Sequence, residues 1–161
     1  MSDFSDWQPA WREEIFNRMS VNPQHSYIFL TKRPERIDFQ TDDGNVWMGV
    51  TVTRASEKKR LSDLKKYIRA RHYHATFEPL FEDIGEINLE GFEWIVVGNG
   101  NQAKEKGKMD AKPEWVLHIV EQAKKHHIPV FMKEDLLPIM GEEQMIQELP
   151  KQFTEKIWNR K

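Results

Sequence analysis

Five short apolar runs constrain this fold more than any other feature of the chain: Tyr27-Ile28-Phe29-Leu30, Val46-Trp47-Met48-Gly49-Val50, His74-Ala75-Thr76-Phe77, Trp94-Ile95-Val96-Val97 and Pro129-Val130-Phe131-Met132. They are mostly continuous rather than alternating, the pattern of strands covered on both faces in a parallel sheet. Segments of helical period lie between them. Trp7, Trp11, Ile15 and Met19 recur every four residues, with Pro9 tolerable in the first turn. Leu61, Leu64 and Ile68 form a second stripe in a segment that runs from Ser56. Val116, Ile119, Val120 and Ala123 form a third, entered at Pro113 and ended by His126-His127-Ile128-Pro129. A helix followed by alternating strands and helices specifies βαβ units with right-handed crossovers.

Length then narrows the architecture. A complete eight-stranded barrel takes roughly 250 residues, whereas this chain has 161. The expectation is α/β: about five parallel strands with flanking helices, in an open sheet or a partial TIM-like barrel, spanning residues 1–161 as one domain. No fixed-period repeat interrupts it, and Lys104-Glu105-Lys106-Gly107-Lys108 is the best candidate for a mobile loop. With 24 basic and 26 acidic residues interspersed and a net charge of -2, no global basic field points to nucleic acid. No apolar run approaches the roughly 20 residues of a membrane span, and the first residues lack a basic region followed by an apolar one. The cytoplasm is the expected compartment. The absence of cysteine excludes disulfides, a catalytic thiol and an iron-sulfur cluster held by the chain's own thiolates.

In parallel α/β folds ligands gather where strands end. The exits here are Thr31, Lys32 and Arg33; Thr51 and Thr53; Glu78; Gly98, Asn99 and Gly100; and Lys133 and Glu134. Converging Lys32, Arg33, Glu78, Lys133 and Glu134 would suit a small anionic ligand balanced by acids. The competing reading is that strand exits are polar because loops are solvated. Glu78, directly after an apolar strand, is an unusual place for a lone charge. Gly98-Asn99-Gly100-Asn101-Gln102-Ala103 has the G-x-G-x-x-A spacing of a dinucleotide site. A polar loop follows it rather than a helix, and Glu134 lies well past the usual spacing of about 20 residues. A flexible turn and a backbone site for a small ligand are the other readings.

The histidines form no metal set. His72 and His74 share a strand face near the strand's start and read as edge or surface residues, while His126 and His127 suit a helix end. Trp7 and Trp11 read as core or interface anchors, and Lys58-Lys59-Arg60 to Lys65-Lys66 as a solvated face. No H-E-x-x-H, G-x-S-x-G or Walker motif is present.

Taken in order, Met1-Ser2-Asp3, Asn22-Pro23-Gln24-His25, Leu30-Thr31-Lys32-Arg33-Pro34-Glu35-Arg36, Asn45-Val46-Trp47-Met48-Gly49-Val50-Thr51-Val52, Glu78-Pro79-Leu80, Trp94-Ile95-Val96-Val97-Gly98 and Pro129-Val130-Phe131-Met132-Lys133-Glu134 resemble the phage-associated radical-SAM-like family. That family is named for phage gene products thirty-seven and sixty-eight and is also called the three-Cys-motif family. The resemblance runs from Met1 to about Pro150 and implies a TIM-like barrel that binds S-adenosylmethionine and a four-iron cluster and cleaves the former reductively.

In the family the three cysteines precede the part matched here. The resemblance therefore implies a C-terminal portion without its cluster segment, not competent for radical chemistry as it stands. It also implies ligand contacts at Lys32, Arg33, Glu78, Lys133 and Glu134, which stand at matching positions. The family's acidic Gly-x-Glu turn is replaced by Gly98-Asn99-Gly100. The alternatives are a non-catalytic module binding an anionic small molecule or a partner protein, and a dinucleotide-dependent oxidoreductase resting on the glycine turn alone. An open barrel leaves edges and apolar faces uncovered, so a homo-oligomer or a closing partner is expected.

Overall fold

A computed structural model describes residues 3–100 and 110–158. Its strands in chain order are β1 (Tyr27–Thr31), β2 (Phe39–Gln40), β3 (Val46–Thr51), β4 (Ile68–Arg69), β5 (His72–Phe77), β6 (Trp94–Val97) and β7 (Val130–Met132). The helices are α1 (Pro9–Ser20), α2 (Lys59–Tyr67), α3 (Pro113–Lys125), α4 (Leu137–Met140) and α5 (Lys151–Trp158). Five strands make one sheet in the order β1-β3-β5-β6-β7, and every neighbouring pair is parallel. The five apolar runs therefore supply the five strands, each next to the one before it in sequence. A separate parallel ladder of β2 and β4 was not expected, being only two residues long on each side.

Strand register sorts the side chains onto two faces. On one face Met48, Val50, Ala75, Phe77, Ile95 and Val97 are buried in a cluster with Leu61 and Leu64 of α2. Val116, Ile119, Val120 and Ala123 of α3 complete it, as their period requires. The other face carries Trp47, Gly49, Thr51, His74, Thr76 and Trp94. Its amino-terminal end is aromatic: Trp47 stacks on His72 at 4.7 Å between ring centres, and Phe153 of α5 meets Trp47 at 4.8 Å and Trp94 at 5.4 Å.

Helix ends follow local chemistry. Pro113 opens α3, where its missing N–H costs nothing. At the other end the Ile128 N–H returns to the Ala123 carbonyl (3.0 Å) and the His127 N–H to that of Lys124 (3.0 Å). This is a Schellman closure, with His127 at φ 54° where glycine is usual.

Several expectations are corrected. Trp7 precedes α1, whose cap is Gln8, and packs on Phe4 and Phe29. The four-residue spacing thus overran the helix start at Trp7, and Trp11, inside α1, is 55% exposed. Phe16 does that packing instead, stacked on Phe39 at 4.4 Å. Ile68 is buried but leaves α2 to begin β4. The Lys104–Lys108 loop and Asn101-Gln102-Ala103 lie outside the described residues, as do Met1 and Ser2. Among the described residues no helix is long and apolar enough to cross a membrane.

Candidate functional site

Because all five strands run the same way, their exits share one edge of the sheet. Glu78 leaves β5, Gly98 leaves β6 and Lys133 leaves β7. The Lys133 ammonium donates to the Glu78 carboxylate, closing an ion pair across β6. Gly98 is what lets the pair close: a Cβ there would lie 3.0 Å from Glu78 Cγ and Cδ and from Lys133 Cδ. The backbone fixes both ends, since the Gly98 N–H donates to the Phe77 carbonyl (3.1 Å) and the Lys133 N–H to that of Val97 (2.9 Å). The Lys133 side chain is 43% exposed and that of Glu78 22%, so solutes reach the pair.

The glycine turn beside it is occupied from within. Asp135 accepts the Asn99 N–H at 3.2 Å and the Gly100 N–H at 2.8 Å. Gly100 sits at φ 73°, and a Cβ would meet that of Pro79 at 2.8 Å, so only glycine suits the position. Asn99 is buried; its amide donates to Asp110 (2.7 Å) and its carbonyl accepts the Ala111 N–H (2.9 Å). Glu134 is exposed, in the turn Glu134–Leu136.

At the β1 exit, Asp3 accepts from the Thr31 hydroxyl (2.6 Å), the Lys32 N–H (2.7 Å) and the Ser5 N–H (2.9 Å). Burial pushes the Asp3 carboxyl up, but these bonds outweigh it and hold the group below its ordinary value. Arg33 is paired with Asp6, and Lys32 is exposed. At the β3 exit, Thr51 is buried and its carbonyl accepts from Arg60 at 3.0 Å. Thr53 donates its N–H (2.8 Å) and hydroxyl (2.9 Å) to Glu57, which also pairs with Arg60 at 2.7 Å. Burial raises the Glu57 carboxyl, and the Thr53 and Arg60 bonds bring it below its usual range.

Glu78, Gly98 and Lys133 thus come together with Asn99 beside them, while Lys32 and Arg33 follow the far edge strand β1. Asp3, Asp6, Glu57 and Asp135 were missed as site residues. Their carboxylates engage the backbone and cations that an anion was expected to take. Asp135 follows Glu134 directly, so a search for acids near strand exits finds it. Asp6 and Glu57 carry no comparable signal.

His74 corrects the expectation of a surface histidine. It is buried, and its Nε2–H donates to the Phe29 carbonyl at 3.0 Å, reaching from β5 over β3 to β1. Gly49 clears the path, since a Cβ there would lie 2.0 Å from His74 Nε2. Burial lowers the His74 pKa to about 4, against the opposing pull of the Phe29 bond. Among the described residues His74 Nδ1 has no hydrogen-bond partner. His72 is half-buried, with Nδ1 3.0 Å from Glu93. Among the described residues no three His, Asp or Glu side chains form a metal-holding group.

A family model described as a protein of unknown function (DUF5131) matches residues 1–159. No curated protein and no solved structure matches the chain.

Proposed function

The chain belongs to the DUF5131 family of proteins of unknown function, and we propose that it is a radical-SAM-like partial barrel that binds S-adenosylmethionine at the carboxyl edge of its sheet. The observation that carries this reading is the Glu78–Lys133 pair over Gly98. Adjacent opposite charges complement the amino-acid head of that cofactor, Glu78 holding the ammonium and Lys133 the carboxylate. Strand order supports the barrel, because neighbours follow chain order without reversal, the winding of a (β/α) barrel. A doubly wound dinucleotide fold reverses at a switch point. With the Asn99 and Gly100 N–H groups also engaged by Asp135, the oxidoreductase reading is disfavoured.

The residues present do not fit a four-iron cluster. The chain has no cysteine, and the described residues hold no alternative ligand group. No radical step is assigned to this chain.

Isothermal titration calorimetry of the full chain with S-adenosylmethionine tests the binding. Saturable heat is expected, weakened about tenfold in Glu78→Gln, the loss of one charge-assisted contact. Absence of heat at millimolar cofactor, or an unchanged isotherm in the variant, sinks the reading.

The β1 edge supports an additional proposal. On β7 the outer side is covered: Phe131 bridges Gln147 and the Met132 N–H donates to the Ile146 carbonyl at 2.7 Å. β1 pairs with β3 alone among the described residues, and Ile28 is 49% exposed. A second copy or a partner protein would cover this edge.

A further inference from the structure

We propose that the cavity at the amino-terminal edge of the sheet binds a small organic oxyanion, a phosphate or carboxylate carried on an apolar body. The cavity has a volume of about 640 Å³, within the range of small-molecule sites. It lies where the chain enters β6 and β7, opposite the Glu78–Lys133 edge, and the proposal stands independently of the cofactor reading there.

Its apolar wall is Ile128, Pro129, Leu149 and Pro150. The polar lining divides unevenly. Two acids are tied back into the protein: Glu93 has both oxygens 3.0 Å from His72 Nδ1, and Glu148 accepts the Val130 N–H at 3.1 Å. Lys124, His127 and Lys151, all three exposed, also line the cavity. Their side chains carry no hydrogen-bond or ion-pair partner among the described residues. Three solvated donors with no protein acceptor, beside acids already hydrogen-bonded within the protein, leave room for an added anion.

His127 supplies the second argument. It occupies the left-handed position of the Schellman closure at φ 54°, where glycine is favoured because it has no Cβ. Histidine is the less favourable residue for closing α3 here, yet an exposed histidine stands at the cavity.

NMR titration of the full chain separates the two roles. The probes are phenyl phosphate and benzoate, with benzyl alcohol as the uncharged counterpart. Both anions are expected to shift resonances around the cavity saturably, and the tighter of the two names the oxyanion. Affinity should drop about tenfold when Lys124→Ala and Lys151→Ala are combined. His127→Gly should raise the melting temperature by about 2 °C while weakening binding several-fold. That opposite movement distinguishes a binding residue from a structural one, and the variant does not depend on tolerating a fold defect. Any of three results overturns the proposal: no saturable shift up to about 50 mM anion, equal binding of benzyl alcohol, or unchanged affinity in both the double-lysine variant and His127→Gly.

Discussion

At the residue scale the sheet depends on a paired choice, glycine at 49 and histidine at 74. Gly49→Ala places a methyl on the His74 ring and forces it off the Phe29 carbonyl. Overpacking and a lost hydrogen bond together should cost about 3 kcal/mol in urea unfolding. In a His74→Ala background the same change should cost much less, because the two sites share one clash; additive costs would refute the pairing. The pH dependence has a defined sign. As pH falls below 6.5 the unfolded chain protonates His74 while the folded chain resists until about pH 4. Stability therefore declines across that window, by about 3 kcal/mol at its foot. Subtracting the profile of His74→Gln should leave this slope, and a flat difference rules it out. The sequence pointed to His72 and His74 as a shared strand face but not to burial, because the space at Gly49 that admits the ring exists only once β1, β3 and β5 are aligned.

At the element scale, α3 does more than cover the sheet. Gln122 is buried; it accepts the Ile87 N–H at 2.8 Å and donates to the Gly85 carbonyl at 3.2 Å, clamping the 85–87 loop. Gln122→Ala leaves two backbone groups unpaired and should cost about 1–3 kcal/mol, with faster hydrogen exchange at Ile87. One turn earlier, His118 Nδ1 lies 2.9 Å from Asp83, and Nε2 lies 3.5 Å from Glu86. The Asp83 bond chiefly raises its pKa. This contribution is fully present below pH 6.5 and is lost as pH rises through the folded value, opposite in sign to that of His74. Loop protection, corrected for intrinsic exchange, should fall above pH 6.5 in the native chain and stay level in His118→Gln. Identical profiles would exclude the contact. The α3 stripe was legible because Val116, Ile119, Val120 and Ala123 repeat without interruption. The α1 stripe misled because Trp7 keeps the period while lying outside the helix.

For the whole molecule, strand identity was readable from five apolar runs and parallelism from their continuity. Spatial order was not readable, since βαβ units alone permit both progressive and reversing sheets. The carboxyl edge was legible as a row of polar exits. The pairing along it was not: Arg33 meets Asp6 and Lys133 meets Glu78 across long stretches of chain, and no local pattern records such partners. If β1 is an interface, light scattering should give a dimer or larger species, and Ile28→Lys should return a monomer with an unchanged circular-dichroism spectrum; a native monomer excludes self-association there. The His74 bond also has a mechanical meaning. It ties β1 to β5 over the top of β3, as a string spans a bow, so tension applied to the outermost strand is carried two strands inward. Under force β1 should not peel away by itself: it should release together with the middle of the sheet, in one larger step.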